Sequence, residues 1–556
     1  MRKILKKTLK ISLRTLLVFV LLISGITAYL FFSADMCVPE ITETIPEHEL
    51  IKEDKYRQWG DNYLRQSETG LWELKVSGSD YERGVAIGKM SDDLLYYQEK
   101  VFVDQIREIV PSDNYLRFLG GFTIIFNRNL GKNVSEEYRR EIYGISQYCS
   151  DEFNFISTPY ERQLNYHAAH DLGHAMQDYM LVGCSSFASW GDNSADSTLI
   201  VGRNFDFYVG DDFAKNKQIQ FYAPDKGYKF VSVAWPAMTG VLSGMNEAGL
   251  TVTINAAKST MPTSATTPIS VLVREILQYA STIEEAYEIA QKRETFVAES
   301  ILVGSAKDKK AAIIEKSPHN IALYYGEPNS NQIICTNHYQ SDTYANDERN
   351  IENIQTSDSK YRYDRLTELL AESNPIDEKK AASILRNRMG QENKEIGLTN
   401  EMAINQFIAH HSVIFKPEKG IMWVSTSPWQ SGKYVAYDLN KIFSDSVDFR
   451  NEIYTAEYTI QEDTLIQSKV FEDLINYKRL TRYIRNKTKD KEVISTDSLA
   501  KYESSNPEFY YTYEILGDYY NSERKQEQAK DYWEKALTKD IPKLAEKERI
   551  LEKVNQ

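Results

Sequence analysis

Short runs in which apolar and polar residues alternate recur through much of this 556-residue chain, separated by turn-forming residues. Where the period is two and β-branched side chains gather, strands are predicted at 198–207, 229–235, 240–245 and 250–256. The same pattern predicts strands at 300–305, 311–315, 321–325 and 332–336, and the last ones at 412–415, 420–425 and 433–437. Asn246-Glu247-Ala248-Gly249 lies between two of these runs and reads as a hairpin tip. Two helices cover about 268–292: residues 269–280 are amphipathic, and Thr282-Ile283-Glu284-Glu285 is a capping box that opens the second. Helices are predicted again near 362–371 and 377–389. Upstream, Leu71-Trp72-Glu73-Leu74-Lys75-Val76 alternates as a strand and passes through the glycines at 78, 84 and 88 into a helix. Helical patterning fills most of 90–180. Strand clusters around a central helical pair suggest two sheets held between helical layers, an α+β architecture.

The two ends differ from this body. Arg2, Lys3, Lys6, Lys7, Lys10 and Arg14 precede an uncharged stretch from 15 to 34, long enough as a helix to cross a hydrocarbon core of about 30 Å. Cations before it predict a cytoplasmic N-terminus and a body in the cell envelope, anchored at the membrane; a cleaved signal peptide and a secreted body is the alternative. Beyond about 445 the chain turns helical, Tyr-rich and charged. The spacing of Tyr513, Leu516, Gly517, Tyr520, Ala529, Trp533, Ala536 and Pro542 resembles a tetratricopeptide unit, a candidate surface for a protein partner. The alternative is a helical pair that simply caps the domain. The expected segments are therefore 1–37 (basic tip with anchor or signal), 38–68 (charged, irregular linker), 69–183 (mostly helical), 184–444 (catalytic domain) and 445–556 (helical, tetratricopeptide-like).

Charge narrows the function. With 66 basic against 80 acidic residues the net charge is −14, which argues against nucleic-acid binding, since that needs basic surface to displace counterions from phosphates.

The chemistry centres on one cysteine. Gly183-Cys184-Ser185-Ser186-Phe187 lies well inside the chain and is followed by Gly202-Arg203-Asn204-Phe205-Asp206. A thiol preceded by glycine and followed by an Arg-x-x-Asp pair suggests a cysteine that becomes a new N-terminus by self-cleavage between Gly183 and Cys184. The freed α-amine, with an ordinary pKa of about 7.7–8.0, can then accept the thiol proton near neutrality. Arg203 can favour the thiolate, and Asp206 can hold the amine by a hydrogen bond. Gly183 suits an exposed, strained carbonyl. Asn255 and Asn337, each closing a predicted strand, are candidate oxyanion donors. Arg362 is a further cation that can bind a substrate carboxylate or organise the site. Asn246 reads as a turn former only.

These ordered pieces resemble the acyl-coenzyme A:6-aminopenicillanic acid acyltransferase family, relatives of choloylglycine hydrolases and penicillin V acylases and all N-terminal nucleophile hydrolases. The resemblance extends over roughly 70–440 and includes Gly78-Ser79-Asp80-Tyr81-Glu82-Arg83-Gly84, Gly244-Met245-Asn246-Glu247-Ala248-Gly249-Leu250, Thr336-Asn337 and Ser359-x-x-Arg362. It implies a four-layer αββα sandwich, autocatalytic cleavage before Cys184, and hydrolysis or transfer of an acyl group on a small-molecule, non-peptide amide. Cys184 is then nucleophile, its own amine the base, and no cofactor or metal is called for. Here about a third of the chain precedes the cysteine, so residues 1–183 are expected to stay associated after cleavage and tether the catalytic fragment to the membrane.

Three other features offer alternatives. His167, His170 and His174 share a helical spacing that zinc can use. Cys37, Cys149 and Cys335 accompany Cys184 and allow a Cys37–Cys149 bridge, with Cys335 in an apolar strand. Finally, the chain can be an unprocessed envelope scaffold that uses its C-terminal helices, or a conventional Cys–His thiol hydrolase that uses His338, His410 or His411.

Overall fold

The computed structural model describes residues 2–109, 112, 120–121, 123–168, 171, 181–258, 264–444 and 447–556. Eleven strands among them form one sheet whose spatial order is their order along the chain: Leu50–Lys52, Tyr56–Trp59, Asn62–Gln66, Trp72–Gly78, Gln218–Pro224, Phe230–Ala234, Ser243–Asn246, Leu250–Ala256, Glu299–Ser305, Lys310–Lys316 and Ile321–Tyr324. Within this sheet one pair is parallel: Trp72–Gly78 lies beside Gln218–Pro224, with Trp72 opposite Gln218 and Gly78 opposite Pro224. A second sheet of six described strands has the order Gln332–Cys335, Ser185–Ser189, Ile200–Phe205, His411–Lys416, Ile421–Ser425 and Tyr434–Asp438, antiparallel throughout.

Period-two alternation sorts the side chains of these strands into layers. Ile219, Phe221, Val231 and Leu302 of the first sheet pack on Val201, Val413, Phe415 and Val424 of the second, forming a core between the two. Their neighbours point the other way. Tyr222, Phe230, Ile301 and Val303 meet Val85 and Met90 of the helix Asp80–Ile109, Ile142 of Glu136–Ser146, and Leu272 of Ile269–Tyr279. On the far side of the second sheet, Ile200, Ile414 and Trp423 pack on Leu366 and Leu370 of Ser359–Ser373 and on Leu385 of Glu378–Leu385.

Most of the patterned elements appear close to where the sequence puts them. The strand Leu250–Ala256 matches its expected range, and Thr282 caps Ile283–Lys292 in a capping box with Glu285. The hairpin tip is pinned by Asn246, whose Oδ1 accepts from Ala248 N and Leu250 N while Nδ2 donates to Leu277 O and Ala280 O.

Residues 38–68 are a correction. Instead of an irregular linker, this segment supplies three strands of the large sheet, with Trp59 and Leu64 fully buried. The signal was masked because a charged residue sits inside: Arg57 is buried against the Trp72 ring, with Nη1 donating to Met90 O at 2.6 Å and Nη2 to the Asp93 carboxylate. Ahead of it, the helix Arg2–Phe32 contains a span, Ser12–Phe31, of mean hydropathy 2.0 with none of it buried, long and apolar enough to cross a membrane. The chain then lies along the body, where Tyr160 Oη donates to Met36 O at 3.1 Å.

One feature packs the N-terminal segment on itself and a second locks it onto the rest. Gly84 lets the helix Asp80–Ile109 touch Glu136–Ser146, because a Cβ there would stand 2.1 Å from Glu141 O. Glu141 itself is fully buried between two buried arginines: Arg83 Nε at 2.9 Å and, from the helix Ile269–Tyr279, Arg274 Nη2 at 3.4 Å. Arg274 also stacks over Tyr222 and Phe230.

At the C-terminal end, Lys469–Asp490, Thr496–Ser505, Tyr510–Ser522, Gln526–Leu537 and Leu544–Val554 share a core that includes Tyr477, Tyr502, Leu516 and Trp533. Gly517 permits one helix crossing, since a Cβ there would lie 2.4 Å from the Trp533 ring. Asn506 joins this region to the body by accepting from Leu398 N and donating to Leu398 O, each at 2.8 Å.

Replacing Glu141 by alanine leaves two buried guanidinium groups without their shared carboxylate. The expected loss is about 3–5 kcal/mol of unfolding free energy, read from denaturant or thermal unfolding; a loss below about 1 kcal/mol, the range of exposed pairs, would show that the triad does not hold the two segments together.

Candidate active site

The strand Ser185–Ser189 starts directly after Cys184 and pairs with Ile200–Phe205, so that Ser186 lies opposite Arg203. This register brings the cysteine and the Arg-x-x-Asp pair together at one end of the second sheet. Gly202 allows it, since a Cβ there would meet the Phe187 ring at 2.6 Å.

Arg203 is fully buried and leaves its own sheet to reach the other. Its Nη1 donates to Leu242 O at 3.0 Å and to Ser243 Oγ, and its Nη2 donates to Ile254 O and to Cys184 Sγ, the last at 3.6 Å. The guanidinium also stacks on Phe205. Burial pushes the Cys184 thiol pKa up; Arg203 pulls it down, and Asp206 opposes Arg203. An apolar setting thus holds the intact chain's thiol protonated, next to a cation that stabilises the thiolate once the proton has somewhere to go.

Behind Arg203 runs a buried relay. Ser243 Oγ accepts from Arg203 and is hydrogen-bonded to His411 Nε2 at 2.8 Å. His411 Nδ1 is in turn hydrogen-bonded to His410 Nδ1 at 2.9 Å. Burial keeps both rings neutral, lowering His410 to about 3 and His411 well below its usual value.

Asp206 follows the strand end. Both carboxyl oxygens are buried with no hydrogen-bond partner among the described residues. Burial raises its pKa to about 8 against the pull of Arg362 and Arg203. Its backbone oxygen accepts from Gly183 N at 3.1 Å.

Arg362, on the first turn of Ser359–Ser373, spends its donors inside the protein. Nε goes to Asp358 at 2.8 Å, Nη1 to Cys184 O at 2.6 Å and Ser185 Oγ at 3.0 Å, and Nη2 to Asn337 Oδ1 at 2.7 Å. Of the two expectations for this cation, the geometry matches the organising one. Asn337 Nδ2 donates to Ala256 O at 2.8 Å, and Asn255 Nδ2 to Cys335 O at 2.9 Å while its Oδ1 accepts from Ser186. Each amide has a second N–H that these bonds do not use.

The six residues singled out from sequence therefore converge around Cys184. One detail differs: Gly183 is buried, and its φ is not in the left-handed region. Glycine is needed there for close approach, since a Cβ would stand 2.6 Å from Gln406 Nε2. The sequence reading gave no role to Gln406 or Ser243, which sit outside its motifs, or to Ser185, which lies within the cysteine motif.

The alternatives fare differently. His338 Nδ1 bonds to Ser359 Oγ at 2.8 Å, and His410 and His411 form the relay behind Arg203, so the thiol's hydrogen bond is to arginine rather than to a histidine. His167 is buried between Gln163 O and Thr239 Oγ1, while His170 and His174 lie outside the described residues. Among the described residues no cluster suits a metal ion. All four cysteines are free thiols, so Cys37 and Cys149 form no bridge.

The family model for acyl-coenzyme A:6-aminopenicillanic acid acyl-transferase matches residues 193–427, so this part of the chain carries a domain of that family. An uncharacterized protein of Archaeoglobus fulgidus is 24% identical over 355 residues, covering 56% of this chain; the chain spans 56% of that relative's length. Among solved structures, the Caenorhabditis elegans ortholog of N-acylethanolamine-hydrolyzing acid amidase aligns with 17% identity and a TM-score of 0.31, covering 42% of this chain and 93% of its own. A variant of conjugated bile acid hydrolase from Clostridium perfringens aligns with 13% identity and a TM-score of 0.33, covering 50% and 97%.

Asp206 gives the site a pH signature. Its folded pKa lies above the unfolded one, so the folded state holds an extra proton between about 4 and 8. This group's contribution to stability therefore falls as pH rises through that window and levels off above it. In an uncleaved Cys184→Ala background, Asp206→Asn is expected to gain stability relative to Asp206 from about pH 4 to 8, measured by denaturant midpoints. A difference that stays flat with pH would mean that Asp206 is ionised throughout.

Proposed function

We propose that this protein is a self-processing cysteine amidohydrolase or acyltransferase of the N-terminal nucleophile type, acting on a small-molecule amide that is not a peptide. The helix, sheet, sheet, helix packing is then its αββα sandwich. The observation that carries the reading is the state of Asp206: a fully buried carboxyl with neither oxygen partnered among the described residues, placed where Gly183 N meets its backbone oxygen. A buried, unpaired acceptor costs about 1–3 kcal/mol. Cleavage before Cys184 would create an α-amine beside it, an ammonium or amine donor that satisfies the carboxyl.

In the mature enzyme that amine takes the thiol proton as Sγ attacks the substrate carbonyl, and returns it to the departing amine. Arg203 stabilises the thiolate. The second N–H groups of Asn255 and Asn337 serve the oxyanion, and Arg362 fixes the Cys184 carbonyl so that the new terminus keeps its place. Water or a second amine accepts the acyl group from the thioester. Phe102, Phe207, Phe213 and Trp235, together with Gln98, Glu99 and His167, line a small cavity that borders the segment after Asp206.

The same reading makes residues 1–183 a retained subunit, held by Trp72–Gly78 within the large sheet and anchored through Ser12–Phe31. The C-terminal helices, read as tetratricopeptide-like, remain available to a protein partner.

On a denaturing gel the wild-type protein is expected as two fragments, with the larger one beginning at Cys184 by N-terminal sequencing, and Cys184→Ala as one chain without amidase activity. A wild type that stays intact yet hydrolyses amides would sink the processing step. After processing, the Cys184 fragment is expected to stay with membranes through a high-salt wash, because apolar burial within a shared sheet is not screened by salt; its release into the supernatant would end the tether reading.

A further inference from the structure

Gly183 and Cys184 are held at three points. Gly183 N donates to Asp206 O at 3.1 Å, Cys184 O accepts from Arg362 at 2.6 Å, and Gly183 O accepts from Gln406 Nε2 at 3.3 Å. The third contact joins residues 223 positions apart in the chain and is buried. From it, and resting on the self-processing reading above, we propose that Gln406 is the oxyanion donor of the maturation step, the group that stabilises charge on Gly183 O while the chain cuts itself.

The orientation of the Gln406 amide is fixed by its surroundings. Nε2 faces two backbone carbonyls, Gly183 O at 3.3 Å and Glu401 O at 3.2 Å. Both are acceptors, so the NH2 end, not the carbonyl end, must point at them. The backbone that carries Gln406 is equally constrained. Asn405 Oδ1 accepts from Phe407 N, Phe407 has a φ of 55° in the left-handed region, and Asn405 N donates to Asn387 O. The Phe407 ring packs with Leu398 and with Leu474 of the C-terminal helix Lys469–Asp490. Gln406 is therefore a rigid donor, as electrostatic stabilisation of a developing charge requires.

The chemistry is an N-to-S acyl shift followed by hydrolysis. Cys184 Sγ bonds to the carbonyl carbon of Gly183, and the electron pair of that C=O moves onto the oxygen that faces Gln406 Nε2. When the carbon–nitrogen bond breaks, the proton lost by the thiol ends on the Cys184 nitrogen, which becomes the free α-amine. The resulting thioester is hydrolysed by water, which leaves the carboxyl group of Gly183 and the regenerated thiol. Gln406 acts on the first tetrahedral adduct and on the one that water forms. Gly183 is explained by the same contact, since any side chain there would push the amide away.

The test follows cleavage of the full-length protein by pulse-chase and denaturing gel. Gln406→Leu keeps the volume and removes the donor; cleavage is expected to slow about 100- to 1000-fold, the usual effect of deleting one oxyanion donor. Introduced into the Cys184→Ala chain, the same substitution reports folding separately through the melting temperature. Gln406→Glu supplies a second readout. Ionised, it has no donor and cleavage is slow; as falling pH protonates it, the O–H restores a donor, and the ratio of variant to wild-type rate rises. Cleavage of both variants at the wild-type rate across pH overturns the role of Gln406 while leaving self-processing intact. A wild type that is never cut overturns the self-processing reading and this role with it.

Discussion

The parallel ladder between Trp72–Gly78 and Gln218–Pro224 is the constraint on which the rest of the molecule depends. Four strands that precede Cys184 and seven that follow it become one sheet through this single pair. Parallel neighbours require a long crossover, and here the crossover contains the helical N-terminal segment and the strands Ser185–Ser189 and Ile200–Phe205 of the other sheet. The cysteine therefore sits where the chain passes from one sheet to the other. A cut at that position severs the covalent link but no part of the ladder, and the buried Arg83–Glu141–Arg274 triad holds the same two segments from the helical side.

Charge burial at the sheet ends is the second theme. Arg203, Asp206 and Arg362 are essentially inaccessible to water. In such surroundings a charge is costly unless paired, and each paired contact is stronger than at the surface. Arg203 meets this cost with backbone carbonyls and the Ser243 hydroxyl, and Arg362 with the Asp358 carboxylate and Cys184 O. Asp206 does not, and it stays protonated up to about pH 8 instead. The uncut chain thus has a neutral thiol and a neutral carboxyl flanked by two cations. A free amine would convert this arrangement, because it gives the carboxyl a donor and the thiol a base within the same few ångströms of chain.

Legibility in the sequence followed how local each signal was. The hairpin around Asn246 and the capping box at Thr282 are set by residues within four positions of one another, and both were readable. Cys184, Arg203 and Asp206 were readable because a two-strand register aligns them across a short span. The strands of 50–66 were hidden by Arg57, whose burial depends on Asp93 and Trp72 supplied from elsewhere. Gly183 stands against a side chain more than two hundred residues away, a contact that no local pattern carries. Nothing in Asn405-Gln406-Phe407 marks it as part of a site until the fold places it.

That last point bears on why the C-terminal helices accompany this domain. The segment 391–407 carries four residues with positive φ that are not glycine, at Glu392, Asn393, Thr399 and Phe407. Each such residue costs free energy that neighbouring structure must offset. The helices provide it: Asn506 pairs with the Leu398 backbone, Asn400 Nδ2 donates to Asp540 O, a Cβ at Gly397 would meet Phe509, and Phe407 packs on Leu474. A loop held this way presents Gln406 to Gly183 at fixed geometry. The C-terminal helices therefore brace the loop that carries Gln406.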